Sequence, residues 1–95
     1  MEAPATAFVL ISRYTAPIEQ VEALVPAHRE YLLEQYDRGL FVASGRQVPW
    51  TGGVIIARGS RADVEAAVAA DPFIIEGVAE TEIVEWLVLF GRLGE

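Results

Sequence analysis

The side chains of this sequence best suited to chemistry are His28, its single histidine, and Asp71, which stands directly before Pro72. An imidazole exchanges protons near neutral pH, and a carboxylate bonded to it fixes its tautomer and supports the imidazolium formed during transfer. His28 falls four residues after Leu24 and four before Leu32, on a stripe with Val21, Val25 and Tyr36, so it belongs to the inward face of an amphipathic helix. Asp71 follows Val64, Ala67 and Val68 on the inward face of a second helix, at the C-terminal end, where the dipole disfavours a carboxylate. Another group must stabilise it, and a hydrogen bond from His28 is the geometrically reasonable choice.

Other side chains extend the constellation. Arg13 and Tyr14 end a first strand close to where a pocket would open, and Arg13 has the planar fork that holds an anion bidentately. Phe73, beside Asp71, and Trp50, in a turn-rich segment, have the apolar faces to wall such a pocket, while Trp86 is expected to fill the core or an interface. One histidine and no cysteine fall short of the three or four ligands a metal site needs, so no metal and no cofactor are expected.

The elements that must position these groups are readable from periodicity. Ala7 to Tyr14 is rich in β-branched and aromatic residues and reads as a strand. Ile18 to Arg38 has helical spacing and stops at Gly39; Pro26 inside it predicts a kink, or a restart with Pro26 at the first helical position. In the second case His28 falls in a first turn, where the positive dipole end favours the neutral ring. Leu40 to Gln47 and Gly53 to Arg58 form a hairpin, Ser60 caps a helix that Pro72 ends near Asp71, and Thr81 to Phe90 is the last strand after a PFIIEG turn.

The order β-α-β-β-α-β predicts an α+β, ferredoxin-like unit with four antiparallel strands and both helices on one face. With 95 residues and 53% apolar content, a single domain spanning residues 1–95 is expected. Its strands are apolar on both sides, since Phe8 and Leu10 oppose Val9 and Ile11, and Val84 and Trp86 oppose Ile83 and Leu87. The helices cover one side only, so a homodimer packed sheet to sheet is expected.

Composition narrows the classes of partner. Seven arginines, no lysine and fourteen acidic residues give a net charge of −7, without a basic stripe, so neither nucleic acid nor an anionic membrane surface is an expected partner. No apolar run approaches the roughly 20 residues of a membrane helix, and MEAPATAF has no basic segment ahead of an apolar one, so a cytoplasmic location is expected.

Several short motifs in this order resemble one family. Pro26-Ala27-His28-Arg29 with Tyr31 and Leu32, Gly39-Leu40, Ser44-Gly45 and Ala70-Asp71-Pro72-Phe73 are similar to the YciI-like (YCII-related) family, from about Phe8 to Gly91. The resemblance implies a dimeric α/β barrel with an active site around a His/Asp dyad, here His28 and Asp71. It also brings in Ser44, which matches the serine of a Ser-Gly-Pro segment and would hydrogen-bond the substrate or the dyad; Arg46 replaces the proline and departs from that pattern. The expected function is general acid/base catalysis, of lyase or isomerase type, on a small cyclic or aromatic metabolite. The alternatives are a non-catalytic small-ligand-binding domain with a structural His-Asp hydrogen bond, and a dimerisation module without a pocket.

Overall fold

The computed structural model describes residues 6–91. In chain order the elements are β1 (Thr6–Tyr14), α1 (Ile18–Asp37), β2 (Phe41–Arg46), β3 (Gly53–Ala57), α2 (Arg61–Ala69), α3 (Pro72–Ile75) and β4 (Ala79–Leu87). The strands form one antiparallel sheet in the order β2-β3-β1-β4, which is the ferredoxin-like arrangement the sequence predicts.

Register follows from hydrophobicity. Phe8 and Leu10 point to the helices, opposite Ala57 and Ile55 on β3 and Glu85 and Ile83 on β4. With Tyr31, Leu40, Phe41, Val64 and Ala67 they make one buried cluster; a second gathers Val21, Phe73, Val78 and Ala79 near the other end of the sheet. The reverse face presents Val9, Ile11, Val54 and Ile56, all half-buried, with Val84 37% and Trp86 36% exposed. Trp86 therefore lies on the outer face of the sheet, away from the helix-side core.

Helix α1 runs unbroken through Pro26. Of the two outcomes the sequence allows at Pro26, the restart does not occur, and His28 lies in mid-helix, where the dipole argument has no force because that field acts only in the terminal turns. The end of α1 is as predicted: Gly39 takes φ +74°, its N–H bonds the Tyr36 carbonyl at 2.9 Å, and the Leu40 N–H bonds the Gln35 carbonyl at 3.0 Å, a Schellman motif. Ser60 caps α2 by accepting from the Asp63 N–H at 3.0 Å.

Two boundaries differ from expectation. The PFIIEG segment is not a simple turn: Pro72 to Ile75 coils into a single helical turn. The last strand begins at Ala79 and ends at Leu87, because its pairing with β1 runs from Tyr14↔Ala79 to Thr6↔Leu87, and Phe90 beyond it is 93% exposed.

The β2–β3 loop is drawn against the end of β1. The Tyr14 N–H bonds the Thr51 carbonyl at 2.9 Å, the Gln47 side chain donates to the Ser12 carbonyl at 2.9 Å, and the Gly53 N–H donates to Ser12 Oγ at 2.8 Å. Gly52 allows this approach, since a Cβ there would stand 1.8 Å from the Ser12 carbonyl oxygen. Gly52→Ala is expected to cost more than about 2 kcal/mol. For a domain of this size that is a fall in Tm of roughly 8 °C or more, which thermal melts followed by circular dichroism will measure.

Candidate functional site

Between the helix layer and the sheet, where the two apolar clusters meet, lies a cavity of about 260 Å³. Its lining includes His28 from α1, Tyr14 from β1, Ser44 from β2, Trp50 from the β2–β3 loop, and Asp71 and Phe73 from the α2–α3 junction. Leu10, Val25, Leu32, Ile55 and Val68 make the rest of the wall largely apolar.

Asp71 is 6% exposed, and its two oxygens have different tasks. Oδ1 accepts the Phe73 N–H at 2.9 Å, which makes Asp71 the N-cap of α3, while Oδ2 lies 3.6 Å from His28 Nε2. The carboxylate therefore terminates α2 and opens the next turn, so its stabilisation comes first from a backbone donor. The separation from His28 is an ion-pair distance, longer than the hydrogen bond expected from the sequence.

The imidazole is fixed by packing. Its ring stacks on Phe73 with centroids 4.0 Å apart and planes 6° from parallel, and it leans on Tyr31 at 5.7 Å. Among the described residues it has no hydrogen bond, yet no buried side-chain nitrogen lacks a partner, so its nitrogens reach the cavity or solvent. A neutral imidazole held this way keeps one lone pair for a proton.

Tyr31 and Tyr14 differ in what their hydroxyls do. Tyr31 donates to the Ala67 carbonyl at 2.6 Å and is tied to the core. Tyr14 accepts from Trp50 Nε1 at 2.6 Å, and its ring meets Trp50 and Phe73 edge to face. Burial pushes the Tyr14 hydroxyl above its ordinary value, against the opposing effects of the Trp50 hydrogen bond and the Arg46 charge. Ser44 shares a 2.7 Å hydrogen bond with Tyr36 and so reaches the cavity wall already partnered.

Arg13 is not in this site. It is adjacent to Tyr14 on β1, so strand alternation turns it to the opposite face, where it bonds Glu80 at 2.6 Å with both side chains 68% exposed. Arg46, which the sequence marked as a departure from a motif and read as a surface arginine at a strand end rather than a cation beside the pocket, does line the cavity, its guanidinium carbon 3.7 Å above the Trp50 ring. Strand alternation was the available signal for both: it turns Arg13 away from the face of Tyr14, and it puts Arg46 on the same face as Ser44, two residues before it on β2, while the contact with Trp50 depends on the path of a loop.

A ferredoxin-like sheet with a histidine and a buried aspartate on the wall of one cavity defines a small α+β domain. Residues 6–87 match the YCII-related domain, and the chain belongs to that family. No curated protein matches the chain. Among solved structures it is similar to the 5-chloro-2-hydroxyhydroquinone dehydrochlorinase of Burkholderia phenoliruptrix, solved in complex with 2,5-dihydroxybenzoquinone. The TM-score is 0.72 at 22% sequence identity, over 84% of this chain and 92% of that one, which establishes a shared fold. No helix among the described residues is long and apolar enough to cross a membrane, and no group of three or more potential metal ligands occurs among them.

The environment of Tyr31 makes a pH prediction. Burial first, and the Asp71 charge second, raise its hydroxyl well above the ordinary value of 10.0. An unfolded tyrosine ionises near that value while the folded one keeps its proton, so this contribution to stability is complete below about pH 10 and is lost as pH rises above it. Tm measured from about pH 8 to about pH 11 should fall steeply in the upper part of that range, and Tyr31→Phe should flatten the fall while costing about 1 kcal/mol at neutral pH.

Proposed function

We propose that the protein is a small acid/base enzyme of lyase or isomerase type acting on a single-ring, oxygenated metabolite. The observation that carries this reading is the placement of His28, stacked on Phe73 with no hydrogen bond to its ring, over a small cavity with Asp71 Oδ2 at 3.6 Å from Nε2. In the proposed reaction neutral His28 takes a proton from the bound ring, and Asp71, a positioning residue, holds the imidazole and offsets the charge it acquires. Ser44 and Tyr14 supply hydrogen-bonding groups to the substrate. The fold shared with a dehydrochlorinase, solved with an oxygenated ring bound, supports the substrate class by analogy.

The capping bond from Asp71 to Phe73 favours a second reading, in which the pair is structural and the cavity only binds a ligand. The two part on mutation. A panel of chlorinated and hydroxylated single rings, beginning with 5-chloro-2-hydroxyhydroquinone, is assayed for turnover. Catalysis by His28 predicts that His28→Ala lowers kcat by about 10²–10⁴-fold, with partial rescue by added imidazole. Asp71→Asn, whose amide oxygen still caps Phe73, should lower it by about tenfold or more. Full activity in His28→Ala rejects the enzymatic role, and unchanged ligand affinity in that inactive variant separates chemistry from binding.

The same reading makes the protein a homodimer through the outer sheet face, where Val9, Ile11, Val54, Ile56, Val84 and Trp86 form a continuous apolar surface that neither long helix covers. A second copy offers a matching apolar face. In sedimentation velocity the wild-type chain should run at twice its mass, and the Val84→Glu, Trp86→Glu double variant as a folded monomer.

A further inference from the structure

The cavity contains a second group of polar side chains, Tyr14, Arg46 and Trp50, whose arrangement goes beyond what proton transfer at His28 requires. Arg46 ends β2 and lies over Trp50, its Cζ 3.7 Å from the ring centroid. A guanidinium stacked on an indole keeps its N–H donors directed outward in its own plane, so the stack orients the group without using its hydrogen-bonding capacity. Arg13 is engaged by Glu80, Arg61 by Glu65 and Glu85, and Arg38 by Gln35. Arg46 and Arg29, both on the cavity lining, hydrogen-bond nothing among the described residues, and of the two Arg46 is the one held against an aromatic ring. In a chain with fourteen acidic and seven basic residues, a guanidinium at a cavity wall with no ion pair among the described residues is suited to an anionic ligand.

Trp50 orients a second donor as well. Its indole N–H bonds the Tyr14 oxygen at 2.6 Å, which occupies a lone pair of that oxygen and leaves the phenolic hydrogen without an acceptor among the described residues. One tryptophan thus fixes a guanidinium by its face and a phenol by its edge, both on the lining of the cavity that holds His28.

We propose that Arg46 and Tyr14, both positioned by Trp50, form an anion subsite, and that the cavity takes a single planar ring bearing a carboxylate. The inference rests on the reading of the cavity as a small-ring site and names the substrate class. A carboxylate accepts two parallel guanidinium N–H bonds and one phenolic O–H, all charge-assisted, whereas a neutral ring hydroxyl gains much less from the same donors. At about 260 Å³ the cavity falls short of a drug-sized site, of roughly 300–1,000 Å³, and suits one ring between walls such as Leu10, Leu32 and Ile55.

The test compares 2,5-dihydroxybenzoate with neutral hydroquinone, by calorimetry for affinity and by the NMR signals of the single histidine to show that each ring enters this cavity. The wild-type protein should bind the carboxylate at least about tenfold more tightly, Arg46→Met should remove most of that preference while hydroquinone binding is retained, and Tyr14→Phe should weaken the carboxylate more than hydroquinone. Circular dichroism verifies that both variants are folded. If hydroquinone moves the His28 signals but the carboxylate has no advantage, or if the preference survives both substitutions, the subsite is rejected and the small-ring reading stands. If neither ring moves those signals, the small-ring reading falls and the subsite with it.

Discussion

The site depends on one buried carboxylate that the backbone has already claimed. A charge at the 6% exposure of Asp71 is costly unless polar partners replace water, and its first partner is the N–H of Phe73, two residues along the chain. Pro72 makes this capping geometry the natural one. It disfavours helical backbone at the residue before it, and Asp71 accordingly takes φ −64° and ψ 124°. Helix α2 must stop there, and α3 starts with Pro72 at a position where a missing N–H costs nothing. The same bond fixes the backbone of Phe73, whose ring becomes the surface on which His28 lies. Aspartate, proline and phenylalanine in sequence thus set both the second oxygen near the imidazole and the plane of the imidazole itself.

The opposing half of the pair is held by a helix that tolerates a proline. Pro26 removes the donor for the Glu22 carbonyl, and such a defect ordinarily bends or ends a helix. Here Glu22, Pro26 and Ala27 are all on the exposed side of α1, where water is available to the freed carbonyl, while Val21, Tyr31 and Gln35 anchor the buried side. His28 therefore projects from the middle of a twenty-residue helix fixed at both ends, and its approach to Asp71 is a relation between two packed elements rather than between loops.

Much of this was legible because single positions carry strong local signals. Gly39 and Ser60 mark helix ends by their own conformational and hydrogen-bonding preferences, and the β-α-β-β-α-β order follows from alternation and helical spacing. The parts that were not legible have physical reasons. A four-residue turn such as Pro72–Ile75 is too short for periodicity, so the double task of Asp71, ending one helix and capping the next, was hidden although Pro72 was visible. Arg13 and Tyr14 were both assigned to the pocket, yet adjacent strand residues face opposite ways, and Phe8 and Leu10 facing the helices already selected Tyr14. The contact of Arg46 with Trp50 crosses a loop whose course is set by the bonds to Ser12 and Tyr14 and has no counterpart in sequence spacing.

A chain of 95 residues has little packing to forgo, so a cavity in it has to be maintained by its lining. Most polar atoms around it are satisfied within the chain: Tyr31 on the Ala67 carbonyl, Tyr36 with Ser44, the Trp50 N–H on Tyr14. These bonds brace the wall and remove groups that would otherwise draw in water or bind solutes indiscriminately. The groups they leave free among the described residues are few and chemically distinct, and include the imidazole nitrogens of His28, the phenolic hydrogen of Tyr14 and the guanidinium groups of Arg46 and Arg29. A pocket whose polar walls are mostly self-satisfied discriminates through the few groups that are not, because a ligand that fails to match them must strip them of water without replacing its hydrogen bonds. Selectivity in such a small fold then arises from how completely the rest of the wall has been paired.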